Sequence, residues 1–288
     1  MNQRNSSAPV ATTTVDDGTT VAPASSARRH PRRRRRALPS AAFRIISVLS
    51  VVICLGLWQL LASTGVIDQT LSSSPSDVWH ALMTEINNGI LGSAVLQSAK
   101  LFGLGVLISV LIGLFGGIAL GWWRILYAIF DPWIAMAYST PLVATFPLII
   151  VWFGIGFSSQ VVIVVLISVF PLLINVMTGT RQVDDNLLRM ARSFRASQFA
   201  ILRSLVLPSL VPYFVTGLRL SLGAGLIGMV LGEYFEGSGG IGGLVLDAGQ
   251  ELDSALVFVG IVVLAGAALT FTGLIRLVER RISAWREP

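Results

Sequence analysis

Apolar side chains dominate long stretches of the chain, separated by short polar connections. The stretches fall at about 43–62, 94–120, 125–153, 158–178, 213–235 and 255–275. Each is close to or beyond the roughly 20 residues with which an α-helix crosses a hydrocarbon core about 30 Å thick, so the pattern predicts six transmembrane helices in an all-α integral membrane protein. An even number of crossings puts both termini on one side.

The connection at 179–212 follows a different rhythm. Asp184, Asp185 and Asn186 are candidate N-caps, after which Leu187, Leu188, Met190, Ala191 and Phe194 recur at helical spacing between Arg189, Arg192 and Arg195. A second apolar-periodic stretch, Phe199, Ile201, Leu202, Leu205 and Val206, runs into Pro208 and Pro212, which are expected to interrupt regular hydrogen bonding before the fifth span. The pattern predicts a helix, turn, helix elbow at the membrane face. On periodicity alone, an unpartnered amphipathic surface helix fits equally.

Prolines 132, 141, 147 and 171 fall in the third and fourth spans. Each removes a main-chain donor, so kinked helices are expected, either beside a central path or statically packed. Thr145, between two of these prolines, and Met229 and Glu233 in the fifth span are carried with Pro141 and Pro147 as candidate pathway residues. Gly113, Gly116, Gly117 and Gly121 mark one face of the second span as a site of close helix approach.

Composition agrees with the hydropathy. Of 288 residues 53% are hydrophobic and 12% charged, which excludes an ordinary soluble domain. A single cysteine, Cys54, and two distant histidines, His30 and His80, leave no material for a disulfide framework, a zinc cage or a histidine triad. No metal site and no catalytic residues are expected. The net charge of +6 is concentrated in Arg28, Arg29 and Arg32 to Arg36, just ahead of the first span. That cluster suits a cytoplasmic flank touching anionic lipid better than a nucleic-acid patch. Residues 1 to about 40, rich in Ser, Thr and Arg, hold too little apolar surface to fold and are expected to be a disordered cytoplasmic tail.

The connections at 63–93, 154–157 and 236–254 contain no Lys or Arg, whereas the tail, Arg124, the 179–212 connection and the C-terminal stretch hold nearly all the others. Basic residues resist translocation, so the second set faces the cytoplasm. Lys100 and Arg219, inside apolar windows, either snorkel to an interface or make a polar contact in the bundle.

Gly237 to Gly242 matches the G-x-G-x-x-G dinucleotide fingerprint, but that motif requires a preceding strand. Here it follows a membrane helix on the outer side, where a tight bend or re-entrant loop is the better reading. No phosphate loop, nucleophile elbow or H-E-x-x-H motif occurs. Glu233 and Glu236, at i, i+3, could serve as acid and base, but with no nucleophile or metal ligand near them, solvated carboxylates at the outer rim are expected.

The stretch Arg189-Met190-Ala191-Arg192-Ser193-Phe194-Arg195, nine residues, then Leu205-Val206-Leu207-Pro208 resembles the cytoplasmic signature of permease subunits of binding-protein-dependent ABC importers. That signature reads E-A-A, three residues, G, nine residues, I-x-L-P. Ala191, Leu207 and Pro208 match it, while Arg189 stands at the usual Glu and Arg195 at the usual Gly. Leu71 to Val78, Pro147 to Gly156 and Thr216 to Leu220 look like the nitrate, sulfonate and taurine group of these permeases.

The resemblance implies a type I permease bundle over residues 41–288 in the cytoplasmic (inner) membrane. It implies partnership with cytoplasmic ABC ATPase subunits, an extracytoplasmic solute-binding protein and a second permease copy. Leu187, Leu188, Arg189, Ala191, Arg192, Ser193, Phe194, Arg195, Ala196, Leu207 and Pro208 would form the ATPase-coupling elbow. The chain itself would bind no cofactor, ATP and magnesium belonging to the ATPase. Import of a small anion such as a sulfonate, taurine or nitrate is the function implied, with a neutral heterocyclic precursor the other solute considered. An integral-membrane enzyme acting on lipid-linked substrates and an ion-coupled carrier are the competing classes, for which the residues offer only scattered carboxylates and no internal repeat.

Overall fold

The computed structural model describes residues 40–64, 73–237 and 239–283. The expected disordered tail lies outside them. Contacts divide the chain into residues 1–49 and 50–288. Of the first unit, only the beginning of α1 (Ser40–Ser63) is described, with exposed apolar side chains from Ile45 to Leu49. Every regular element among the described residues is helical.

In the second unit, α3 (Ile90–Trp122), α6 (Phe157–Arg181) and α9 (Leu207–Glu236) form the packed core. Small residues at every fourth position explain how α3 and α6 come together. Gly105, Ser109, Gly113, Gly117 and Gly121 face Val164, Ser168, Leu172, Val176 and Thr180, a constant offset of 59 residues along two parallel helices. A Cβ on Gly117 would come within 2.7 Å of Val176 Cβ and 2.9 Å of the Leu173 carbonyl oxygen. Only glycine permits that backbone approach, and in lipid, close packing is what holds helices together. The stripe expected from sequence is therefore one side of this seam, with Gly116 set to its flank against Leu173.

Buried hydroxyls join the third helix to the pair. Ser109 and Ser168 hydrogen-bond at 2.6 Å, and Ser221 of α9 donates to the Ser168 carbonyl at 2.6 Å. α9 runs antiparallel to α6, with Gly217 near Leu172 and Gly228 near Val164.

α2 (Pro75–Asn87) opens with a reciprocal capping box, in which Ser74 Oγ accepts from Asp77 N and the Asp77 carboxylate accepts from Ser74 N. It packs with α1 and α11 (Ser254–Ser283) around Val78, Leu91 and Val259, where Trp58 meets Phe258 at 4.9 Å.

Among the described residues five helices are long and apolar enough to cross a membrane, and the expected third span is a broken one. It consists of α4 (Arg124–Ser139) and, after a 3₁₀ turn at Leu142–Thr145, α5 (Phe146–Phe153), with the two parts bent by 92°. Pro141 explains the break, because it holds the preceding Thr140 extended (φ −77°, ψ 138°) and offers no N–H. Pro147 then sits in the first turn of α5, where its missing donor costs nothing.

The helix leading into α9 departs from expectation in the other direction, for it passes through Pro208 and Pro212 unbroken. α8 (Gln198–Ile201) enters a π turn at Leu202–Val206 in which Leu207 N donates to Leu202 O. The widened turn absorbs the register change just before the proline.

Candidate functional site

Two places concentrate structure that packing alone does not explain. The first is the cytoplasmic elbow. α7 (Asp185–Ser193) is capped by Asp184, whose carboxylate accepts from Asn186 N at 2.8 Å. It ends in a Schellman-type turn in which Ala196 N donates to Ala191 O and Arg195 takes φ +54°. The residue at the signature's Gly position thus has the left-handed conformation glycine favours, and an arginine adopts it here. The tight turn is present without glycine.

The elbow exposes its apolar side chains. Phe194 is 81% exposed, Leu187, Met190, Phe199 and Leu207 are also exposed, and Leu188, Ala191 and Ala196 are half-buried. Arg189, Arg192, Ser193, Arg195 and Pro208 lie open beside them. Beneath, the elbow is tied to the bundle. Arg181 sits 3.7 Å over the Tyr127 ring of α4, and Tyr213 OH of α9 donates to Gln182 Oε1 at 2.6 Å. The arm thus presents exposed apolar side chains flanked by arginines.

The bend between α4 and α5 holds Pro141, Thr145 and Pro147 together. Thr145 Oγ1 donates to the Leu142 carbonyl, and neighbouring Phe146 packs edge-on to Phe235 of α9 at 5.4 Å. Met229 and Glu233 occupy other surroundings. Met229 is buried with Leu101, Phe102 and Val164 beside an apolar cavity of about 250 Å³.

The second place is the outer end of α9, and here the rim reading of Glu233 is corrected. Glu233 is 2% exposed; it accepts from Ser98 Oγ at 2.6 Å and from Gly242 N at 2.8 Å, the latter in α10 (Gly240–Gln250). Glu236 accepts from Gly156 N at 2.7 Å and from Ser159 Oγ at the start of α6. The two carboxylates address different helices, which is unsuited to paired acid–base work. Sequence reasoning missed Gln97, Ser98 and Ser159, because single polar residues in apolar spans show no partner until helices are placed.

The glycine-rich segment is a tight bend, with positive φ at Gly237, Gly239 and Gly240. No group of three or more potential metal-ligating side chains occurs among the described residues. Lys100 and Arg219 are both exposed.

An all-helical bundle with several membrane-length helices and one broken span defines a multi-pass membrane protein. Comparison with known proteins gives its family. The pattern of the binding-protein-dependent transport system inner membrane components matches residues 105–284, and the chain belongs to that family. A protein of Bacillus subtilis (strain 168), named for aliphatic sulfonates transport, is 30% identical over 81% of this chain and 85% of its own. The taurine transport system permease of Escherichia coli (strain K12) is 29% identical over 83% and 89%. Among solved structures, the inward-facing methionine ABC transporter MetNI matches with a TM-score of 0.60 at 18% identity, over 69% of this chain and 98% of that one, which supports the fold. The chain is an inner-membrane permease of an ABC importer for small solutes. Membership of the family implies ATPase and substrate-binding protein partners.

Proposed function

We propose that this chain imports a small organic or inorganic anion, of the sulfonate, taurine or nitrate kind, by alternating access driven from a separate ATPase. The exposed apolar face of α7 carries the reading. Phe194, Leu187 and Met190 form the buried part of a contact whose rim is Arg189, Arg192 and Arg195, charges that steer docking and partner choice more than they add affinity. ATP and magnesium stay in the partner, and this chain contributes no cofactor site.

A second copy of the chain suits the broken span. Non-helical backbone at membrane depth is tolerated only inside protein or along a water-filled cavity, yet α4 has no buried residue and Trp133 is 65% exposed. The bend at Pro141, Thr145 and Pro147 therefore belongs beside a path shared between two permeases. The names of the sulfonate and taurine relatives support the solute class.

The test is reconstitution with the ATPase and binding protein. Leu188→Asp, Ala191→Glu and Phe194→Asp are expected to abolish stimulated ATP hydrolysis while the chain still inserts in the membrane. Full import by all three variants would refute the docking role. The ligand preference of the associated binding protein decides the solute, and exclusive binding of a neutral heterocycle would overturn the anion.

A further inference from the structure

We propose that Glu233 and Glu236 are positioning residues for transport, bolting the outer end of one continuous helical lever to the elements around it; the inference rests on the importer reading above. The helix is unbroken from Gln198 to Glu236, 39 residues, a contour of about 58 Å at 1.5 Å per residue. Its cytoplasmic end starts at the Ser197 cap, two residues after the left-handed turn at Arg195. Whatever displaces the elbow displaces this shaft.

At the other end the shaft is fastened by buried polar bonds. The first backbone N–H groups of a helix have no intrahelical partner, and in α10 side chains from two other helices take up three in succession. Gly240 N donates to Gln97 Oε1 at 3.1 Å, Ile241 N to Ser98 Oγ at 2.8 Å and Gly242 N to Glu233 at 2.8 Å. Ser98 Oγ in turn donates to Glu233 at 2.6 Å, so α3, α9 and α10 share one closed network. The glycines are required by this closeness, since a Cβ on Gly242 would lie 2.8 Å from Glu233 Cβ. In this glycine-rich bend Gly242 N meets the chain's own Glu233 carboxylate, while Gly240 N and Ile241 N are taken up by neutral side chains of α3.

Three residues further, Glu236 performs the same task for α6, accepting from Gly156 N and Ser159 Oγ at that helix's first turn. A carboxyl group at a helix N-terminus is well placed to accept its free N–H groups, and the buried bonds of Glu233 are costly to break. The outer parts of α3, α6, α9 and α10 therefore move as one body. Motion of the elbow reaches the outer face through the α9 shaft, and binding-protein docking outside reaches the elbow by the same route.

The experiment uses the full permease, ATPase and binding-protein complex in proteoliposomes. ATP hydrolysis is measured with and without solute-loaded binding protein for Ser98→Ala, Ser98→Thr, Glu233→Gln and Glu236→Gln. Ser98→Ala and both Gln variants are expected to assemble and keep the basal rate, with stimulation by the loaded binding protein falling about tenfold, the weight of one hydrogen bond to a charged group. Ser98→Thr keeps the hydroxyl and keeps stimulation. Wild-type stimulation in Ser98→Ala and Glu233→Gln would overturn the proposal, as would an equal loss in Ser98→Thr or failure of every variant to assemble. If the wild-type chain neither binds the ATPase nor responds to the binding protein, it is the importer reading that falls.

Discussion

Adding a single methyl group at Gly117 tests how the core is held. The new Cβ would meet Val176 Cβ and Cγ1 at 2.7 Å and the Leu173 carbonyl oxygen at 2.9 Å. The oxygen belongs to helical backbone and cannot turn aside, so α3 and α6 must separate locally. Overpacking of this kind costs about 1–3 kcal/mol, against which alanine recovers about 0.5–1 kcal/mol of helix propensity over glycine. Gly117→Ala is thus expected to lose about 1 kcal/mol net, within a range of about 0–2.5 kcal/mol. Gly103 provides the control, since it lies in the same helix with no atom within 4 Å of its built Cβ. Gly103→Ala should be neutral or stabilising by up to about 1 kcal/mol. Thermal unfolding of the detergent-solubilised chain, followed by tryptophan fluorescence, reads both. Pairing Gly117→Ala with Val176→Ala should restore part of the loss, a coupling that appears only when two sites touch. Equal or higher thermal stability of Gly117→Ala would refute the seam.

Other perturbations probe the elbow and the outer cap. Arg195→Gly relieves the left-handed strain at φ +54° and should stabilise the α7 turn by about 1 kcal/mol, seen as slower amide exchange over 185–196. Ser74→Ala removes the cap of α2 and should cost about 1 kcal/mol, read as faster exchange in its first turn. Hydrogen bonds from the Ser74 side chain and backbone hold Asp77 below its ordinary 3.8, so this cap stabilises α2 above that pH. The stabilisation fades as pH falls through the lower folded value, and Ser74→Ala should weaken that pH dependence, the Ser74 backbone N–H retaining part of it.

Much of the fold could be read from the residues because lipid punishes exposed backbone and leaves long helices as the main option. The windows near 94–120, 158–178, 213–235 and 255–275 each fall within one helix. The third window is a bent span whose break was not legible, because hydropathy averages over Pro141 without registering that Thr140 turns extended before it. The elbow's cap at Asp184 was legible, since capping is local chemistry. Glu233 was not, because its surroundings come from Ser98, 135 residues away, and from a bend in glycines. Pro208 misled for the opposite reason, as a π turn one step earlier accommodated it.

The constant offset of 59 between α3 and α6 also bears on which length changes the chain tolerates. Deleting one residue within either helix would rotate all later positions by about 100°, turning every remaining glycine away from its counterpart at once. The same deletion in the connection after Phe153 leaves the alignment whole. Natural variation in length should therefore collect between the two helices and spare both of them.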